Sequence, residues 1–183
     1  PALYVADGHH RSAAASRVAA SRKAAQAGPG GKESTNYFLA VVFPHNQMQI
    51  MAYNRLVKDL HELNKEEFLS RVAVAFRIEP SAEPVTPAKP CEFGMFLDGD
   101  WYRLALDEQR IPWDDPVGRL DVSLLQDNLI EPILGIVDPR RDERINFVGG
   151  IRGLEGLARP VEEGQYRVAF SLFPTRMTDL MAV

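Results

Sequence analysis

Apolar residues alternate, cluster or recur every third or fourth position along this chain, and each change of period marks a boundary between predicted elements. Ala2-Leu3-Tyr4-Val5-Ala6 reads as a short strand that stops at the turn-favouring pair Asp7-Gly8. Alanine dominates residues 9–27, which predicts a helix ended by Gly28-Pro29, and its small side chains would let it lie close against a sheet. Residues 37–43 read as a buried strand, with residues 48–53 as a hairpin partner across Pro44-His45-Asn46. Asn64-Lys65-Glu66-Glu67 has the form of a capping box and opens a helix through Phe76, with Phe68, Leu69, Val72 and Phe76 on its apolar side. Pro80, Pro84, Pro87 and Pro90 then mark an extended connection.

Further along, residues 93–97 and 101–106 flank Asp98-Gly99-Asp100, a strong hairpin signal. Asp121 stands where it can cap a helix whose apolar positions are Val122, Leu125, Leu129 and Ile133, kinked or ended by Pro132. A strand over 144–148 runs into Gly149-Gly150, and a brief helix with Leu154 and Leu157 follows. Tyr166, Val168, Phe170 and Leu172 alternate as a strand, after which Pro174-Thr175-Arg176 begins the last helix. The fold class is α+β (mixed α/β), read as a single domain over residues 1–183 that would subdivide, if anywhere, near the proline-rich connector 80–90.

Composition narrows the function classes. The chain is ordinary in its apolar and charged content and has no run of eighteen apolar residues, so a soluble, cytoplasmic, non-membrane protein is expected. A net charge of -4 argues against a general nucleic-acid binder. The single cysteine, Cys91, has no ligand-spaced neighbours and reads as a strand residue. Gly28-Pro29-Gly30-Gly31-Lys32-Glu33-Ser34 lacks the first glycine and the Ser or Thr of a phosphate loop and reads as a linker. The chain opens on Pro1 and closes on an apparently interrupted helix, which reads as a piece of a longer protein.

Asp7-Gly8-His9-His10-Arg11 is the candidate functional centre. Unpaired N–H groups and the positive end of the dipole make a helix start attractive to anions. Ordinary capping chemistry would place Ser, Asp or Glu there; cations oppose the dipole unless something negative offsets them. Gly8 permits close backbone approach, Arg11 offers a planar fork for phosphate or carboxylate, and His9 and His10 add donors. Asp7 could orient a histidine, hold Mg²⁺ or cap the helix. A transition-metal centre is the competing reading, although adjacent histidines diverge by about 100° on a helix.

Other positions carry weaker signals. Asn54 and Arg55 follow a predicted strand, as a site-facing pair or a surface turn. Gly149 and Gly150 fit a second anion-binding turn or a tight corner, and Thr175 and Arg176 repeat a hydroxyl and a guanidinium ahead of a helix. Asp121 fits a cap better than a catalyst.

Tyr4-Val5-Ala6-Asp7-Gly8-His9-His10-Arg11 with Ser12-Ala13-Ala14-Ala15 resembles the signature of the bacterial and archaeal DUF1015 family, and the resemblance continues through Tyr53-Asn54-Arg55, Leu120-Asp121-Val122, Asn146-Phe147-Val148-Gly149-Gly150 and Phe173-Pro174-Thr175. Members of that family are longer at both ends. The first stretch is also similar to the phosphate-binding motif of the ParB/sulfiredoxin-like fold, including its free-serine kinases. That likeness implies a nucleotide, ATP or ADP, with Mg²⁺, and a phosphotransferase acting on a small hydroxyl compound such as serine. It makes Asp7, His9 and His10 catalytic candidates, and Gly8, His9, His10 and Arg11 phosphate-binding ones. A non-catalytic nucleotide-binding module and a metal-dependent phosphoester hydrolase are the alternative readings.

Overall fold

A computed structural model describes residues 3–25 and 37–183, which form two compact units, residues 1–48 and 49–183. The predicted linker at residues 28–34 lies outside the described residues.

In the first unit, helix α1 spans His9–Ala25. Two expectations are corrected here. Residues 3–6 and 37–43 form no strand, and their apolar side chains are exposed, Leu39 at 91%. Residues 45–47 form one 3₁₀ turn, so there is no hairpin to residues 48–53. An apolar run supplies strand propensity, but a strand forms only where a partner edge completes its backbone hydrogen bonds.

The second unit is built on one six-stranded antiparallel sheet of order β2-β4-β3-β6-β1-β5. Its strands are β1 Tyr53–Val57, β2 Phe76–Ser81, β3 Glu92–Leu97, β4 Asp100–Leu106, β5 Ile145–Gly149 and β6 Val168–Leu172. Beside it lie α2 Lys65–Val72, α3 Asp121–Leu125, α4 Glu131–Leu134, α5 Glu155–Glu162 and α6 Met177–Ala182. The mixed α+β class is therefore what the chain adopts.

Each sheet face buries its own cluster, which is why the central strands carry apolar residues on both sides. Val57, Phe93, Met95, Leu104, Val168 and Phe170 pack with Phe68 and Val72 of α2 and with Leu124, Leu129 and Leu134 of the α3–α4 segment. On the opposite face, Leu56, Phe96, Trp101 and Ala169 meet Leu157 and Val161 of α5. The β3–β4 hairpin turns at Asp98-Gly99, both at positive φ, as its turn chemistry requires.

The capping box at Asn64 and Glu67 is formed in both directions, at 2.9 and 3.0 Å. Helix α2 nevertheless ends at Val72, and Phe76 opens β2 instead of continuing the helix. Pro80 belongs to that strand, which tolerates it because β2 is an edge. Asn54 and Arg55 lie inside β1 rather than after a strand. Cys91 is a turn residue at φ 66°, immediately before β3. Asp121 is the first residue of α3; its N-cap is Leu120, with no side-chain cap. Residues 126–130 widen into a π-helical turn just before Pro132, accommodating the proline without ending the helical segment, which stops at Gly135 in a left-handed conformation.

Candidate functional site

In the first unit, Gly8 takes φ +79°, and the Ser12 amide donates to its carbonyl at 2.9 Å to start α1. The Arg11 guanidinium folds back over Gly8, 3.4 Å from where a Cβ would stand, and donates to the Asp7 carboxylate at 3.3 Å. Asp7 thus pairs with Arg11. The first turn of α1 contains no acid, and Asp7, His9, His10 and Arg11 are all exposed.

In the second unit, strand register gathers the remaining candidates at one end of the sheet. Tyr53 pairs with Gly149 where β1 begins and β5 ends, and the Asn54 side chain accepts from the Leu172 amide at 3.0 Å where β6 ends. Phe173, Pro174, Thr175 and Arg176 continue directly from that point. Phe93 pairs with Leu172, so Cys91 and the start of β3 share this end, and the Cys91 amide donates to Asp121 Oδ1 at 2.8 Å. Asn54, Arg55, Gly149, Gly150, Thr175, Arg176 and Asp121, up to 122 residues apart in sequence, therefore lie toward the same end of the sheet, and of these Asp121, Thr175 and Arg176 line one cleft.

Their roles differ. Asn54 extends the β1–β6 ladder by one rung with its side chain. The Gly150 amide is occupied by the Ala52 carbonyl at 2.7 Å, and the Ala52 backbone lies 3.0 Å from a Cβ position on Gly150, so this glycine makes a tight corner. Arg176 is held by Asp179 through two bonds of 2.8 and 2.9 Å.

Arg55 is only 8% exposed and has no carboxylate partner among the described residues. One terminal nitrogen donates to the carbonyls of Tyr53 and Asn54, and the guanidinium lies 4.9 and 4.5 Å from the ring centres of Tyr53 and Phe147. Burial pulls its pKa down to about 10. An arginine buried without an acid is costly unless an anion offsets it.

Asp121, weighed from sequence mainly as a cap, lines a cleft of about 320 Å³ with Cys91, Arg119, Thr175 and Arg176. Burial pushes its carboxyl up to about 6, outweighing the Cys91 amide and the Arg176 charge that favour ionisation. A carboxyl raised in the fold stabilises most below its unfolded pKa, and that contribution is lost as pH rises through about 6. Asp121→Asn is accordingly expected to raise stability at pH 8 by about 1 to 2 kcal/mol, allowing for the unpaired amide it introduces, and to lower it by about 1 kcal/mol near pH 4, where the folded carboxyl is protonated. Urea unfolding at the two pH values checks this; a gain equal at both would contradict it. Burial also pushes the neighbouring Cys91 thiol up to about 11, away from nucleophilic use.

Among the described residues, no group of three His, Cys, Asp or Glu side chains could hold a metal ion, and no helix is long and apolar enough to cross a membrane. The family model of a protein of unknown function, DUF1015, matches residues 1–123. The chain belongs to the DUF1015 family. No curated protein and no solved structure matches it.

Proposed function

We propose that this protein is a nucleotide-binding phosphotransferase that moves a phosphoryl group from ATP or ADP to the hydroxyl of a small molecule, serine being the acceptor that the likeness of residues 4–11 to ParB-like free-serine kinases suggests. The observation that carries the reading is Arg11, a guanidinium folded over Gly8 at the start of α1, whose first turn holds no acid. Arg55 in the second unit, a buried guanidinium with no acidic partner among the described residues, is a separate candidate contact for an anion.

In the reaction, the acceptor oxygen attacks the terminal phosphorus, the bond to the nucleotide breaks, and the hydroxyl proton passes to a base, for which Asp7, His9 and His10 are the candidates. Charge on the transferring group is met by Arg11 and the helix start. Mg²⁺ bound with the nucleotide would offset charge on its phosphates, and the Asp7 carboxylate is the residue that would help hold it.

Calorimetric titration with ATP and ADP, followed by a product assay with L-serine, tests the proposal. Nucleotide binding and formation of O-phosphoserine are expected. Binding without a phosphorylated product would leave a nucleotide-binding module, and absence of binding would overturn the reading altogether.

A further inference from the structure

The cleft at the end of the sheet holds two polar groups that its own residues leave partly unengaged. Asp121 is 7% exposed, and only Oδ1 is bonded, to the Cys91 amide; Oδ2 has no partner. Its carboxylate does not serve α3, whose N-cap is Leu120. A buried acceptor without a partner costs about 1 to 3 kcal/mol, which a donor from a bound molecule would recover. Arg119, on the same cleft, gives one N–H to the Trp113 carbonyl at 3.2 Å and has no carboxylate partner among the described residues. The other charges there, Arg176 and Asp179, satisfy one another.

Two acids and two arginines leave the cleft electrically balanced, which suits a ligand carrying both a donor and an anion and disfavours a polyanion such as a nucleotide. Thr175 adds a hydroxyl, and Trp113 and Phe173 supply apolar wall. The volume, about 320 Å³, is at the small end of ligand sites. We infer that this cleft binds a small carboxylic acid bearing an amine or hydroxyl beside its carboxylate, the carboxylate at Arg119 and the donor at Asp121. The binding stands on the second unit alone; only the further role of phosphoryl acceptor would rest on the phosphotransferase reading.

Amide NMR of the whole chain, without nucleotide, tests it with L-serine and glycerate as complete ligands and with ethanolamine and propionate as their halves. At least one complete ligand is expected to shift the amides around Arg119, Asp121 and Thr175 saturably, about tenfold more tightly than either half. Preference for serine identifies the amine as the donor, and preference for glycerate the hydroxyl. Asp121→Asn, a variant expected to fold at least as well as the parent at pH 8, and Arg119→Ala should each weaken this binding about tenfold. Halves that bind as tightly as the complete ligands, no shift with any of the four, or unchanged affinity in both variants would each overturn the inference. Because no nucleotide is present, these outcomes are independent of whether the protein transfers phosphate.

Discussion

Gly94→Ala is expected to cost at least about 3 kcal/mol of stability, the largest effect of any single methyl addition in the sheet. Gly94 lies in β3 opposite Ser171 of β6, whose hydroxyl donates to the Val85 carbonyl at 2.7 Å directly across the glycine. A Cβ there would overlap Ser171 Oγ and stand 2.5 Å from the Val85 oxygen, which is backbone and cannot swing aside. The connection carrying Val85 would have to lift, breaking that hydrogen bond and exposing a side chain that is now buried. Gly149→Ala is the control, since nothing lies within 4 Å of its Cβ position; its effect should stay within about 0.5 kcal/mol. Chemical denaturation of the two variants compares them, and equal midpoints would contradict the packing described for β3.

Arg55→Met should act in the opposite direction, stabilising the ligand-free protein by about 1 to 2 kcal/mol. Holding the guanidinium charged in its buried position costs about 3 kcal/mol, from the fall in its pKa to about 10. Contact with the faces of Tyr53 and Phe147 returns about 1 kcal/mol, and methionine keeps much of that packing. The same change should weaken binding of phosphate or another small anion at the second unit if the charge is kept for an anion. A variant both more stable and weaker in binding would show stability given up for function. Loss of stability would instead place Arg55 in the structural framework and remove it as an anion contact.

Much of the second unit was legible because its signals are local. Asp98-Gly99 can adopt the positive φ values that a tight hairpin needs, and Asn64 with Glu67 closes a box within four residues. The failures arise where a decision depends on distant partners. Phe68, Val72 and Phe76 keep helical spacing, yet Phe76 pairs with Leu106 as an edge strand, and Pro80 disguised that strand further. Asn54 and Arg55 looked like the end of a strand because polar residues are uncommon at central positions; their strand is flanked on both sides. The apolar segments of the first unit have strand composition without a strand partner.

The site divides in the same way. The corner at Gly8 and Arg11 could be read from residue types, since cations at a helix start are conspicuous. That Asn54, Gly149 and Thr175 lie at one end of the sheet required the register of three strands. Asp121 could not be separated from an ordinary cap, because what distinguishes it is a bond to Cys91, thirty residues earlier, and an oxygen that no neighbour reaches.

The central claim, that the Asp7–Arg11 corner grips nucleotide phosphate, is tested most directly by calorimetric titration of the parent chain and Arg11→Ala with ATP and ADP. The expected result is a loss of about 1.5 to 3 kcal/mol of binding free energy in the variant with its unfolding midpoint unchanged, because Arg11 is exposed and pairs only with an exposed Asp7. Equal affinities for the two proteins, or no binding by the parent, would contradict the account.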